Sequence, residues 1–273
     1  MGAVDYEAEY NNRVRVPEHP TIMTGWARDA AAYRQAHPPQ ALRYGESARH
    51  TIDLFSGRGV GDAATVMFIH GGYWQALDAS HFSHLAAGLN AHGIDVAIPS
   101  YDLCPTVSVA DIIAQMQAAC RVLASDGRRL VVSGHSAGGH LAACLMATDW
   151  RALGPTPPNG FIRAGYAISG LFDLSPLIAT SINTALKLNQ DSARHASPMW
   201  WTPAIGSVFD AVLGGDESSE YFRQSRAFVE QWSAMGAVTQ FGTVPAANHF
   251  TVLAPLTDRE SAMVARLAAM ARL

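Results

Sequence analysis

Leu130-Val131-Val132-Ser133-Gly134-His135-Ser136-Ala137-Gly138-Gly139-His140-Leu141 is the stretch on which the fold turns. It holds G-x-S-x-G between an apolar strand pattern and an alanine-rich helix pattern, and that context matters more than the motif. A serine on a tight strand-to-helix turn sits in strained backbone geometry that only small neighbours permit. Gly134 and Gly138 leave room for such a turn, and Ser136 is then pushed above the sheet as a nucleophile. The helix that follows presents its N-terminus, so the Ala137 amide can face a developing oxyanion. A phosphate-binding turn is the competing reading, but G-x-G-x-x-G and the P-loop lysine are both absent.

Sixty residues upstream the apolar run Thr65–Ile69 leads straight into His70-Gly71-Gly72-Tyr73-Trp74. Adjacent glycines let backbone N–H groups point inward with no Cβ in the way. Gly71 and Gly72 are therefore the expected further oxyanion donors, each worth about 3 kcal/mol of transition-state stabilisation. His70 is expected to hold the loop rather than exchange protons.

Around these two motifs strands alternate with helices. Thr51–Phe55 reads as an edge strand and Gly57–Asp62 as a glycine-rich turn. Strands follow at Thr65–Ile69, Ile94–Pro99, Leu130–Ser133, Ala164–Ser169, Asp210–Leu213 and Val238–Phe241. Helical periodicity covers Ser80–His92, Val109–Ala124, Ala137–Thr148 and Ser219–Met235, with a last helix from Asp258 onward. This order predicts α/β architecture: one domain over 1–273, with a mostly parallel, doubly wound sheet and helices on both faces. Residues 1–45 read as a partly helical N-terminal arm. The stretch 174–207 is too long for an ordinary connection and is expected to form a short lid over the sheet's carboxyl edge.

A serine alcohol needs a base beside it. In a fold of this kind the chain order is serine, acid, histidine. His249 follows the last strand and precedes the final helix, where the base belongs; His195 falls in the expected lid, and His135 and His140 flank the serine. Asp216, in Gly214-Gly215-Asp216-Glu217 just past a strand end, is assigned as the acid. Glu217 is its adjacent rival, and Asp173, after the preceding strand, a weaker one.

Composition bounds the rest. The 273 residues are 49% hydrophobic and 15% charged, with a formal charge of −4. That apolar content excludes a disordered chain, and the acidic balance argues against a nucleic-acid partner. Cys104, Cys120 and Cys144 form no C-x-x-C pair, which fits a reducing compartment. Asp5, Glu7 and Glu9 stand where a signal peptide would be basic and then apolar, and no apolar run is long enough to span a membrane. The expectation is a soluble cytoplasmic protein with a small-molecule substrate, no cofactor, no metal and no membrane partner. So few charges also leave apolar surface for a homodimer.

Taken together, His70–Trp74, Gly134–Gly138 and the Asp216 and His249 segments resemble the α/β-hydrolase superfamily. Within it they look most like the kynurenine formamidase (arylformamidase) branch, close to the hormone-sensitive-lipase-like esterases. Tyr73-Trp74, Tyr101-Asp102-Leu103-Cys104-Pro105 and Phe222-Arg223-Gln224-Ser225 carry the finer likeness, while Gly139 stands where that branch often carries Ala. The resemblance implies hydrolysis of an N-formylkynurenine-like aryl formamide, a step of tryptophan catabolism, through a formyl-enzyme. Tyr73, Trp74 and Phe250, with Trp200 and Trp201, are the aromatics expected to stack on the aryl group. Two other readings stay open: a carboxylesterase for short acyl esters, and a binding protein on a silent hydrolase fold.

Overall fold

The computed structural model describes residues 4–59, 62–125, 127–154 and 160–273. Three helices open the chain: α1 (Tyr6–Tyr10), α2 (Asn12–Arg15) and α3 (His19–Ala36). Eight strands then build one sheet: β1 (Gln40–Arg43), β2 (Thr51–Phe55), β3 (Thr65–Ile69), β4 (Val96–Pro99), β5 (Leu130–His135), β6 (Ile162–Ile168), β7 (Val208–Gly214) and β8 (Val238–Val244). Their spatial order is β1-β2-β4-β3-β5-β6-β7-β8. β1 and β2 pair antiparallel with each other and β2 with β4, while every later pairing is parallel.

Parallel strands covered on both faces should be apolar throughout, and every residue of β3 and β5 is buried. The pleat then sends alternate residues to opposite layers. Met67, Ile69, Leu130 and Val132 meet one core, together with α5 (Val109–Ser125), α6 (Ala137–Met146) and α9 (Ser219–Ala234). Val66, Phe68 and Val131 meet the other, with α4 (Ala87–Asn90), α10 (Ala262–Ala271) and the partly buried Trp26 and Tyr33 of α3. The bidentate pair of Arg266 on Asp210, at 2.7 and 3.0 Å, ties α10 to β7.

Two expectations change. Thr51–Phe55 is not the edge, because β1 lies outside it. The helix expected over Ser80–His92 breaks into 3-10 turns at Ala79–His81 and Ser83–Ala86, with α-helix only at α4. Asp78 caps the first turn through Ser80 N, and the apolar residues Phe82, Leu85 and Leu89 are buried without a continuous helix to carry them. Between 174 and 207 the chain forms two short helices, α7 (Asn183–Leu186) and α8 (Gln190–His195), with 3-10 turns on either side. The glycine-rich turn over Gly57–Asp62 includes positions 60 and 61, which lie outside the described residues, as do 1–3 of the expected arm.

The arm is mostly helical as far as Ala36, ends in β1, and is fastened to the body by its own carboxylates. Glu7 accepts from the Ser181 amide and hydroxyl at 2.7 and 2.8 Å. Glu9 accepts from Ser219 Oγ and the Glu220 amide at 2.8 and 2.9 Å, at the start of α9, where a negative charge is favoured. Tyr10 is fully buried; its hydroxyl donates to Glu220 and accepts from Gln224.

Candidate active site

Ser136 stands between β5 and α6 with φ 56° and ψ −117°, a strained conformation for a residue with a side chain. Its amide donates to the Ile168 carbonyl at 2.8 Å. The turn is closed by main chain on main chain: a Cβ on Gly138 would lie 1.9 Å from the Ile69 carbonyl oxygen, and one on Gly134 would lie 2.3 Å from the Gly138 oxygen. The strand before the serine, the helix after it and the end of β3 thus touch through backbone atoms.

The loop after β3 lies against the same turn, with the Gly71 Cα facing Ser136 Cβ and the His135 carbonyl so closely that a methyl group would sit about 3 Å from each. Gly72, Tyr73 and Trp74 all have positive φ, at 110°, 50° and 57°. Among the described residues, the amides of Gly71, Gly72 and Ala137 have no hydrogen-bond acceptor. His70 holds this loop from beneath. It is fully buried, its Nδ1–H donates to the Gly71 carbonyl at 2.8 Å, and its ring stacks on Tyr101 at 4.2 Å.

His249 follows β8. Its Nδ1–H donates to Glu217 Oε2 at 2.7 Å, which leaves Nε2 as the ring nitrogen without that partner. Glu217 has a fully buried side chain, and its other oxygen accepts from the Gly214 amide at 2.7 Å and the Ser169 hydroxyl at 2.5 Å. The carboxylate that meets His249 is thus Glu217, the adjacent rival, and not Asp216, the residue assigned from the sequence. Asp216 is exposed and engages only through its amide, which donates to the Ala247 carbonyl at 3.0 Å. In the turn beyond β7 the two adjacent side chains diverge, and the one turned inward is Glu217. His135 meets His249 from the other side: its Nε2–H donates to the His249 carbonyl at 2.8 Å, and the two rings lie 4.7 Å apart.

Ser136, His249, Gly71 and Gly72 line one cavity of about 320 Å³. Of the three aromatics singled out from the sequence, Tyr73 and Phe250 line it too, whereas Trp74 does not. The Trp74 ring is fully buried and packs edge-on against His140 at 4.9 Å. Trp200 and Trp201 are likewise elsewhere: Trp200 faces Arg194 and Trp201 donates to the His195 carbonyl. The expected lid reaches the cavity only through Ser181 and Ile182. Most of the roof is the N-terminal arm, through Asn11, Asn12, Arg13, Met23 and Trp26, which the sequence pattern did not place there. Asn12 joins roof to wall by donating to Tyr221 at 2.9 Å and Tyr73 at 3.2 Å, and Tyr73 donates to the Tyr10 carbonyl at 2.5 Å.

Among the described residues there is no cluster of side chains that could hold a metal ion, and no helix is long and apolar enough to cross a membrane.

The buried histidines predict an acid limit to stability. Burial brings His70 and His140 down to about 4 and lowers His135 well below its ordinary value. Between about pH 6.5 and 4 the unfolded chain therefore binds protons that the folded one refuses. Stability is intact above 6.5 and falls as the pH drops, by on the order of 3 kcal/mol for each of His70 and His140 by pH 4. Thermal melts from pH 8 to 4.5 check this; a Tm that stays flat down to pH 5 would refute it.

Residues 66–272 match the alpha/beta hydrolase fold family, and the chain belongs to that family and is a hydrolase. It is 29% identical to the kynurenine formamidase of Salmo salar over 225 residues, 79% of this chain and 76% of the relative. To the kynurenine formamidase of Drosophila melanogaster it is 27% identical over 226 residues, 78% of this chain and 74% of the relative. A crystal structure from Silicibacter sp., provisionally called a thioesterase, superposes with a TM-score of 0.84 at 35% identity, covering 96% of this chain and 98% of that one. A thermophilic carboxylesterase cloned from a metagenomic library shares the fold, with a TM-score of 0.73 at 16% identity over 93% of this chain and 95% of its own.

Proposed function

We propose that the protein is a serine hydrolase that removes a small acyl group, formyl foremost, from an aryl amine, with N-formylkynurenine or a near analogue as substrate. The observation that carries this is the 2.7 Å bond from His249 to the buried Glu217, on the wall of the cavity that Ser136 also lines. Glu217 fixes the imidazole tautomer, so Nε2 is free to take the Ser136 proton as Oγ attacks the formyl carbon. The amides of Gly71, Gly72 and Ala137 are the donors for the oxyanion, since none is spent on another acceptor. His249 then gives its proton to the departing nitrogen, the aryl amine leaves, and water activated by His249 releases formate from Ser136. Similarity to kynurenine formamidases of fish and fly and the ring-lined cavity support the aryl formamide as substrate. Cys104, Cys120 and Cys144, all free and buried, support a cytoplasmic location.

The same machinery would cleave short acyl esters, and the carboxylesterase relationship at the level of fold favours that as the second reading. An organophosphonate should label the wild type covalently and leave Ser136→Ala untouched; an unlabelled wild type would sink the serine-hydrolase reading. Turnover of N-formylkynurenine should exceed that of acetyl and butyryl aryl esters, and the reverse order would give the function to the ester reading.

A further inference from the structure

The cavity is electrically lopsided. Among the described residues that line it, Arg13 is the one charged side chain besides the histidines, and no carboxylate faces the space. Arg13 is exposed and has no ion-pair or hydrogen-bond partner among the described residues, which puts its charge at the solvent end. Its acidic neighbours are spent elsewhere, Glu7 on Ser181 and Glu9 on Ser219 and Glu220. The chain as a whole carries −4, so an anion is drawn to this cavity by a local charge or not at all. Below Arg13 the walls are aromatic: Trp26 lies 5.5 Å from Phe82 and 6.0 Å from Phe250, centroid to centroid, with Tyr73 also lining the space.

We propose that Arg13 is a specificity residue: its guanidinium pairs with a carboxylate on the leaving group of an aryl substrate whose ring lies between the cavity's aromatic side chains. This rests on the serine-hydrolase reading above. A guanidinium offers a planar fork that matches a carboxylate, and Arg13 belongs to the arm that forms the roof, so charge recognition and ring stacking act on the same bound molecule.

The test compares 3-(4-acetoxyphenyl)propanoate with its neutral methyl ester, which share the scissile bond and the ring. The wild type should favour the anionic member. In Arg13→Ala the ratio of anionic to neutral kcat/KM should fall by about 10- to 100-fold, through KM, and Arg13→Lys should restore part of it. Arg15→Ala, two residues along the same helix, should leave the ratio unchanged. A ratio that Arg13→Ala does not move, or a wild type without preference, overturns the proposal. Binding of the product anion, 3-(4-hydroxyphenyl)propanoate, by calorimetry reads the same pairing without turnover. It should weaken at least 10-fold in Arg13→Ala, and equal binding by both proteins also overturns the proposal. If neither ester is cleaved, the ester reading loses its support, organophosphonate labelling still tests the serine-hydrolase reading, and this binding comparison decides the role of Arg13.

Discussion

Glu217→Gln is expected to lower kcat by about 10⁴-fold while leaving the fold in place. The replacement keeps size and shape, and its carbonyl oxygen can still accept from the Gly214 amide and Ser169 hydroxyl. Its NH₂ group then faces His249 Nδ1, so a donor meets a donor. The ring escapes this by moving its proton to Nε2, and Nε2 can no longer accept the Ser136 proton. Asp216→Asn should change kcat by less than about 2-fold, because that side chain is exposed and holds nothing in the cavity. Steady-state kinetics on both variants, with circular dichroism to verify folding, checks the pair. A crippled Asp216→Asn beside an active Glu217→Gln would return the acid to the position first read from the sequence.

Gly138→Ala should cost about 3–5 kcal/mol and lower Tm by about 10 °C. The added methyl would lie 1.9 Å from the Ile69 oxygen, 2.6 Å from the Ile69 carbonyl carbon and 2.8 Å from the His70 oxygen. All three are main-chain atoms of β3 and the loop beyond it, so no side-chain rotation relieves the clash. What gives way is the loop carrying Gly71 and Gly72, and activity should fall with stability. Gly25→Ala is the contrast: a Cβ there meets nothing within 4 Å on α3, and the change should raise stability by about 0.5–1 kcal/mol. Parallel thermal melts decide, and a Gly138→Ala protein melting with the wild type would contradict the close approach.

Much of the architecture is legible because the central parallel strands are mostly apolar, buried at every position and bounded by turns. β3 and β5 announce themselves in this way, and the residues that end them, His70-Gly71-Gly72 and Gly134–Gly138, carry their chemistry in the main chain. Ser136 and His249 could be paired from chain order alone. The acid could not, since Asp216 and Glu217 are adjacent carboxylates on one turn, and which of them faces inward depends on a backbone path that no periodicity encodes. Trp74 misleads for a related reason: it stands beside Tyr73 in the same positive-φ loop, yet of the two only Tyr73 lines the cavity. Between Ser80 and His92, apolar spacing suits a helix, yet the same residues are buried from a string of 3-10 turns. The roof stayed hidden because residues that cover a cavity need only contact, and α1 to α3 show their purpose only once Glu7, Glu9 and Tyr10 are seen to hold them down.

The segment bearing Asn11, Asn12, Arg13, Met23 and Trp26 lies wholly before residue 66, where the match to the family begins. Part of the cavity's lining is therefore written outside the stretch that carries Ser136, Glu217 and His249. Changes confined to Arg13, Met23 or Trp26 would reshape that opening without rewriting the residues proposed to break the bond.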